Sequence, residues 1–225
     1  MTRVITICLL SAFLVCSLCL FPQARAEAAS EARQTLENAI DQVLAELQKP
    51  ELRDPATRAP VQANLERIIL ALFDFEELSR RAVGQHWKKF TSDQQQRFVK
   101  TFEDLLREHY TGMLEDHIGV VQGYTREMLT FIGESPIGTS GDRVQVETTV
   151  LFQNKTVPVN YRMQRGNGGW AIYDIIVEGV GMVQNYRSQF QSVLQRSSPE
   201  QLIAQVRARA EETRVTNEKK RQGQP

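Results

Sequence analysis

The sequence predicts an α+β fold in which a curved four-stranded antiparallel sheet, apolar on one face, is wrapped by amphipathic helices. Three observations lead to this prediction. Residues 27–114 repeat apolar side chains at helical spacing. Residues 143–165 alternate apolar with polar side chains, as half-buried antiparallel strands do. Helical spacing returns within residues 183–195.

Residues 1–26 predict an export signal. Arg3 supplies a positive start, an apolar run follows from Val4 to Phe21, and Ala24-Arg25-Ala26 places small residues where signal peptidase reads them. The run is about as long as a short membrane span, so an uncleaved anchor is the alternative. The small residues directly after the run favour cleavage. We therefore expect a signal peptide cleaved after Ala26 and a mature chain in the periplasm.

Composition restricts the function of the remaining 199 residues. Cys8, Cys16 and Cys19 all lie in the signal, so the mature chain holds neither a disulfide nor a thiolate metal site. The mature chain carries 25 basic and 27 acidic side chains, and this balance gives no reason to expect nucleic acid as a partner. We expect one domain over residues 27–210. Residues 211–225 are almost wholly polar and predict a frayed helix end followed by a disordered tail.

Four helices are predicted before the sheet. The first two cover residues 27–48 and 61–73. Asp74, with Glu77 three residues later, predicts a capping box for a short third helix, and Thr91 opens a long fourth helix with Gln94 or Gln95 completing its cap. The fourth helix has one apolar stripe, made of Phe98, Phe102, Leu105, Leu106, Tyr110, Met113 and Leu114.

Four strands follow, and the first is expected within residues 128–132. Residues 143–152 and 156–165 alternate strictly, and polar turns at 153–155 and 166–169 join the successive strands as hairpins. Residues 170–177 are apolar on both faces, so this strand should be central and covered on both sides. Two helices complete the chain: one lies within residues 183–195, and Ser198 caps the other with Pro199 at its first position.

The sequence contains no strong catalytic motif. It has no Gly-x-Ser-x-Gly, no His-Glu-x-x-His and no glycine-rich phosphate loop. His109 and His117 share a face of the long helix but lie about 12 Å apart by helix rise, too far to hold one metal ion by themselves. We interpret them, and His86, as surface or capping residues, and we expect no metal and no cofactor.

Asp174 is the one candidate for acid–base chemistry, because it interrupts an apolar strand. A buried carboxylate has a raised pKa and could act as a general base. The alternative is a structural carboxylate that accepts hydrogen bonds from nearby backbone or pairs with an arginine, and we favour this reading. Tyr110, Met113, Tyr161 and Met163 could line a cavity, but each is equally an ordinary core residue.

Two segments resemble the MlaC-type, toluene-tolerance family of periplasmic phospholipid-binding proteins. The first comprises Gly84-Gln85-His86-Trp87, Phe90-Thr91, Gln96-Arg97-Phe98, Phe102, Leu105 and Tyr110. The second, more specific one comprises Trp170, Tyr173-Asp174-Ile175-Ile176, Glu178-Gly179-Val180, Met182 and Gln189-Phe190 with Leu194. The resemblance extends from Glu27 to about Arg209. It departs from the family pattern at Gly181 and just after Met182.

The resemblance implies a carrier that takes phospholipid from one membrane system to another. In such a protein the acyl chains occupy an apolar cavity between sheet and helices. The expected partners are phospholipid, an inner-membrane ABC permease complex and an outer-membrane lipoprotein complex, and the role is to maintain outer-membrane lipid asymmetry. The carrier is expected to act as a monomer and not as an enzyme, with phospholipid as cargo.

The expected lipid-binding residues come from the inward face of the sheet and from the long helix. They are Leu106, Tyr110, Met113, Val146, Val150, Val159, Tyr161 and Val180. Two other functions remain open at this point. One is an isomerase-like enzyme with a cone-shaped α+β pocket, in which Asp174 would have to face the cavity. The other is a periplasmic chaperone or adaptor with no cavity.

Overall fold

A computed structural model describes residues 20–222 of the chain, so residues 1–19 of the expected signal peptide and residues 223–225 lie outside the described part. The helices are α1 (Leu20–Leu47), α2 (Ala59–Leu70), α3 (Phe75–Val83), α4 (Ser92–Asp116), the single turn α5 (Ile118–Val121), α6 (Met182–Leu194) and α7 (Pro199–Arg221). The strands are β1 (Leu129–Pro136), β2 (Arg143–Phe152), β3 (Lys155–Gly166), β4 (Gly169–Val177) and β5 (Val180–Gly181).

The helix starts follow the capping signals of the sequence. Thr91 and Gln94 form a complete capping box at α4, and Ser198 and Gln201 form another at α7. At α3 only half of the predicted box exists. Asp74 accepts a hydrogen bond from the Glu77 N–H at 2.8 Å, but the Glu77 carboxylate pairs with arginines one turn further along instead of returning to the cap.

The sheet has five antiparallel strands in the order β1-β2-β3-β4-β5, so the prediction of four strands is wrong. The additional strand arises at the turn after β4. Glu178 and Gly179 have φ values of 51° and 82°, and this two-residue turn reverses the chain so that Val180 pairs with Val177.

Strand β4 is covered on both faces, as predicted, but it is not central. Its Ile172 side contributes to a core formed with α1, whereas Tyr173 and Asp174 are buried on the opposite side, towards α3 and α6. One edge of β4 pairs with β3. The opposite edge pairs with β5 near its end and, at Ile172, with the connection between α2 and α3. There Ile172 accepts from the Asp74 N–H and donates to the Leu72 carbonyl, at 2.8 and 2.7 Å.

A disordered tail was predicted over residues 211–225, and the structure departs from this prediction over residues 211–221. Residues 223–225 lie outside the described part. Helix α7 continues to Arg221 and packs along α4. Asn217 is buried in this segment, and Lys220 and Arg221 form ion pairs with α4. A segment this polar was expected to stay unpacked because it has few apolar side chains to bury. It is ordered instead by polar contacts with a neighbouring helix.

Among residues 20–222, no helix combines the length and the apolar character needed to cross a bilayer. The largest core lies between α3, α4, α6 and α7 and is rich in packed aromatic rings. Phe98 is its centre, with edge-on contacts to the rings of Trp87, Phe90 and Phe190 at 5.4–6.2 Å between centroids. This core fixes the first half of α4 and leaves its second half to line a pocket.

Candidate functional site

An open pocket of about 780 Å³ lies between the sheet and the helices. This volume is within the usual range for small-molecule sites, about 300–1,000 Å³. One wall is the second half of α4, and the opposite wall is the end of the sheet at Phe152, Ile175 and Val177. Further apolar lining comes from α2, the α2–α3 connection, the first residue of α3, α5 and the residues after it, β5 and the start of α6: Ile69, Leu70, Phe73, Phe75, Val120, Val121, Tyr124, Val180, Met182 and Tyr186.

The pocket accounts for most of the large apolar side chains that solvent reaches. Tyr110 is 47% exposed, Met113 48% and Val180 68%, and all three line it. Val120, Phe152 and Val177 are also exposed and also line it. Single exposed apolar residues are ordinary, but a continuous exposed apolar surface marks a binding site. The pocket therefore fits a large apolar ligand.

Four of the eight expected lipid-binding residues line the pocket. Leu106, Tyr110 and Met113 do so from α4, and Val180 does so from β5. Their contact with lipid remains a prediction. The shared position of Leu106, Tyr110 and Met113 follows from helical spacing, which places residues three and four apart on one face of α4.

The other four, all from β2 and β3, do not line the pocket. Val146 is fully buried, and Tyr161 packs beside it, in the core that α1 forms with the sheet. Val150 and Val159 are partly buried on the same face of the sheet. Strand alternation identified the inward face correctly, but α1 fills much of that face. The parts of the sheet that line the pocket are Phe152 at the end of β2 and Ile175 and Val177 on β4.

Burial has a strong effect on the tyrosines around this region. It raises the pKa of Tyr161 and of Tyr186 to about 12, so both hydroxyls are neutral at physiological pH. Tyr110 places its hydroxyl 3.5 Å from the Met182 sulfur across the pocket. Of these tyrosines, Tyr110 and Tyr186 line the pocket, and each presents a neutral ring to it.

Charged and polar side chains at the pocket come from α2 and α4. The Arg107 guanidinium lies 3.5 Å from the Glu66 carboxylate and donates to Asp104 at 2.8 Å. His109 and His117 line the same pocket, and a ring nitrogen of His117 lies 2.9 Å from the Met113 carbonyl oxygen. Among the described residues, no group of three or more His, Cys, Asp or Glu side chains is placed to hold a metal ion.

Asp174 does not line the pocket. It is 4% exposed, and its Oδ1 accepts from the Val183 N–H at 2.9 Å in the first turn of α6. Its Oδ2 lies 3.6 Å from the Arg162 guanidinium. Burial raises the pKa of this carboxyl, while the Val183 hydrogen bond and Arg162 oppose the rise.

The position of Asp174 explains the glycine at the start of α6. Gly181 is the N-cap residue of that helix and has no side chain to accept a helix N–H, so Asp174 supplies the acceptor from β4. A Cβ on Gly181 would lie 3.3 Å from the Asp174 Oδ2. The predicted structural role near the strand end therefore takes a specific form, which is to cap α6 across the sheet edge.

The residues that carried the family resemblance mostly form the frame and not the pocket. Trp87, Phe90, Phe98 and Phe102 belong to the aromatic core, and Tyr173 stacks under the Arg81 guanidinium at 4.2 Å. Sequence reasoning missed Phe73, Tyr124 and Tyr186, which line the pocket. No periodic signal could have identified either Phe73, which lies in the connection between α2 and α3, or Tyr124, which lies between α5 and β1.

Comparison with known proteins gives one family and two relatives that match most or more than half of this chain. The family described as MlaC protein matches residues 37–208. The intermembrane phospholipid transport system binding protein MlaC of Haemophilus influenzae is 19% identical over 187 residues, which are 81% of this chain and 84% of that relative. The toluene tolerance protein ttg2D of Pseudomonas putida is 27% identical over 135 residues, which are 59% of each chain.

A solved structure has the same fold. It is a phospholipid-binding protein from Ralstonia solanacearum, in complex with a phospholipid at 1.53 Å resolution. It is 25% identical and superposes with a TM-score of 0.62 over 81% of this chain and 98% of its own. The family match covers most of the sequence, and it confirms the predicted resemblance: this chain belongs to the MlaC protein family.

Proposed function

We propose that this chain carries phospholipid through the periplasm, with the acyl chains held in the pocket between α4 and the sheet. The observation that supports this most directly is the set of exposed apolar side chains facing one pocket, Tyr110, Met113 and Val180 among them. A two-chain lipid has roughly 30 methylenes, each costing about 0.8 kcal/mol in water. A pocket as apolar as a bilayer makes transfer from the membrane nearly level in free energy.

The proposed partners are an inner-membrane ABC permease complex and an outer-membrane lipoprotein complex. Lipid moving between them through this carrier would maintain outer-membrane lipid asymmetry. The carrier needs no cofactor and no energy source of its own, because the free energy of the lipid is nearly the same in the pocket and in the membrane. The names of the Haemophilus and Ralstonia relatives, a phospholipid transport binding protein and a phospholipid-binding protein, support the lipid cargo.

No observation favours the isomerase-like enzyme. That reading needs Asp174 in the pocket, and its carboxylate is committed to Val183 and Arg162 instead. The chaperone or adaptor reading assumed no cavity, and an open apolar pocket gives that reading no support.

The proposal is tested by lipid analysis of the purified mature chain. Gentle purification followed by solvent extraction and mass spectrometry should return phospholipid in a fixed ratio to protein. Delipidated protein should recover lipid from phospholipid vesicles and deliver it to lipid-free acceptor vesicles. Protein that contains no lipid and takes none from vesicles would contradict the proposed function.

A further inference from the structure

The two halves of α4 are packed differently. Before Arg107 its inner side chains are buried in the aromatic core, but between residues 107 and 116 only Gly112 is buried. The pocket side of this second half carries the half-exposed Tyr110 and Met113. Leu114 adds a partly buried contact to the small core beside α2. This stretch of pocket wall therefore takes little support from the core and must be held from its other side.

The other side of the wall is occupied by the end of α7. Asn217 is 3% exposed, and its Nδ2 donates to the Glu108 carbonyl at 2.8 Å. A Cβ on Gly112 would lie 2.5 Å from the Asn217 Oδ1, so the amide fits against α4 only because residue 112 is glycine. A carbonyl oxygen has two lone pairs, so Glu108 can accept this bond beside a helical one.

The contact is reciprocal. In α7 the buried residues after Val206 are Ala210 and then Asn217, and in the second half of α4 the buried residue is Gly112. Gly112 near the end of α4 and Asn217 near the end of α7 are therefore the buried residues of the two helix ends, and they face each other. Lys220 and Arg221 add ion pairs to Asp116 and Glu115 at 2.7 and 2.8 Å. Both cations are 41–50% exposed, so these pairs are expected to contribute less than a buried contact.

We propose that Asn217 is a positioning residue for the lipid pocket, which holds the second half of α4 in place and thereby slows the release of lipid. This inference rests on the proposed function of the pocket. Asn217 lies beyond residue 208, where the family match ends, so the contact is a feature of this chain outside the matched region. Loss of the hydrogen bond frees the α4 wall to move away from the sheet.

The test compares the full mature chain with its Asn217→Ala variant, each loaded with a phospholipid that carries a fluorescent acyl chain. Release into vesicles of phosphatidylethanolamine and phosphatidylglycerol should be about three- to tenfold faster in the variant, the factor expected for one net hydrogen bond. Amide hydrogen exchange should rise over residues 108–116 and stay unchanged over residues 92–104. The matched control is Thr216→Ala, at the exposed neighbouring position of the same helix, which should behave as the parent does.

A second pair of variants tests the contact itself. Gly112→Ala in the parent places a methyl group against the Asn217 amide and should also speed release. In the Asn217→Ala background the obstruction is gone, so adding Gly112→Ala should change the rate by less than twofold. Strictly additive effects would show that the two positions act separately and would overturn the proposal.

The remaining outcomes also decide the matter. A variant that melts at a lower temperature but releases lipid at the parental rate, with unchanged exchange over residues 108–116, would make Asn217 merely structural. Asn217→Asp keeps the shape without the N–H donor and replaces Asn217→Ala if the latter does not fold. Failure of both to fold would show that Asn217 serves the whole fold and would overturn the proposal. A parent that loads no lipid contradicts the proposed function instead, and hydrogen exchange still reports whether Asn217 holds α4.

Discussion

At the scale of single residues, Tyr110 and Val146 represent two kinds of apolar side chain that the sequence pattern does not separate. Both were expected to line one cavity. Tyr110 lies half-exposed in the open pocket, whereas Val146 is fully buried between β2 and α1. The difference comes from α1, which covers one part of the inward sheet face and leaves the other part open.

The first prediction uses this contrast. Tyr110→Glu should fold, because its carboxylate can remain in water at the open pocket, but it should lose bound lipid because a charge in an apolar site is costly. The measurements are lipid content by mass spectrometry and helix content by circular dichroism. Val146→Glu is the control and should unfold, since an unpaired charge would be buried in a solid core. Full lipid retention by Tyr110→Glu would contradict the assignment of α4 to the binding site.

The second prediction concerns the pH dependence that Asp174 confers. Burial raises its folded pKa above the ordinary value of 3.8, so the folded state binds more protons than the unfolded state between the two values. The contribution of Asp174 to the free energy of unfolding is therefore greatest below pH 3.8, and it falls as the pH rises through the raised pKa. Asp174→Asn has no such titration, so its melting temperature relative to the parent should improve as pH rises from about 4 to 7.

The same variant separates a structural from a chemical role. Asn retains an oxygen that can accept from Val183, so Asp174→Asn should keep lipid binding and transfer. Asp174→Ala removes that acceptor and should cost about 1 kcal/mol, the usual effect of losing a helix cap. A pH-independent difference between the parent and Asp174→Asn would show that the carboxyl is not shifted. Loss of a measurable chemical activity in a folded Asp174→Asn protein would instead contradict the carrier proposal.

At the scale of elements, the turn between β4 and β5 determines the positions of Val180 at the pocket edge and of the first residues of α6. Gly179 has φ of 82°, a conformation that costs other residues about 1–2 kcal/mol. Gly179→Ala should therefore lower stability by about that amount, which is a few degrees of melting temperature for a chain of this size. Gly168→Ala is the control, because a Cβ meets no atom within 4 Å at either position but only Gly179 of the two has a positive φ. The control should therefore change the melting temperature little.

The turn prediction also has a functional readout. Val180 follows Gly179 directly and lines the pocket. A displaced turn should therefore weaken lipid retention in Gly179→Ala but not in Gly168→Ala. Equal melting temperatures for the two variants would contradict the assignment of strain to position 179.

At the scale of the whole molecule, an open apolar pocket links lipid content to stability. A ligand that binds only the folded state stabilises it by mass action, by about 2.7 kcal/mol at one hundred times its dissociation constant. Delipidated protein should therefore melt at a lower temperature than the lipid-loaded form, and reloading should restore it. Tyr110→Glu should show no such shift. Identical melting temperatures before and after delipidation would indicate that the lipid does not occupy the folded chain.

Much of the fold was accessible from the sequence because local rules decide it. The caps at Thr91 and Ser198, the helical stripe of α4 and the alternation of β2 and β3 all depend on neighbours within a few residues. The two family signatures were recognisable for a related reason. They encode the aromatic core and the cap of α6, which form the frame of the pocket in this chain.

The site itself was only half accessible. The α4 residues were found because helical spacing alone places them together. The strand residues were placed on the correct face, but which part of that face stays open depends on where α1 crosses the sheet. Phe73 and Tyr124 reach the pocket from connections whose paths no local pattern determines.

By itself, the sequence determined the class of the fold, its helices except the single turn α5, most of its strands, the family and the expected export signal. Only the tertiary structure decided the fifth strand, the boundary between core and pocket, the partner of Asp174 and the order of residues 211–221. These features depend on contacts between residues far apart in the chain, such as Asn217 with Glu108. Hydrophobic spacing records which face of an element is buried, but not which distant element buries it.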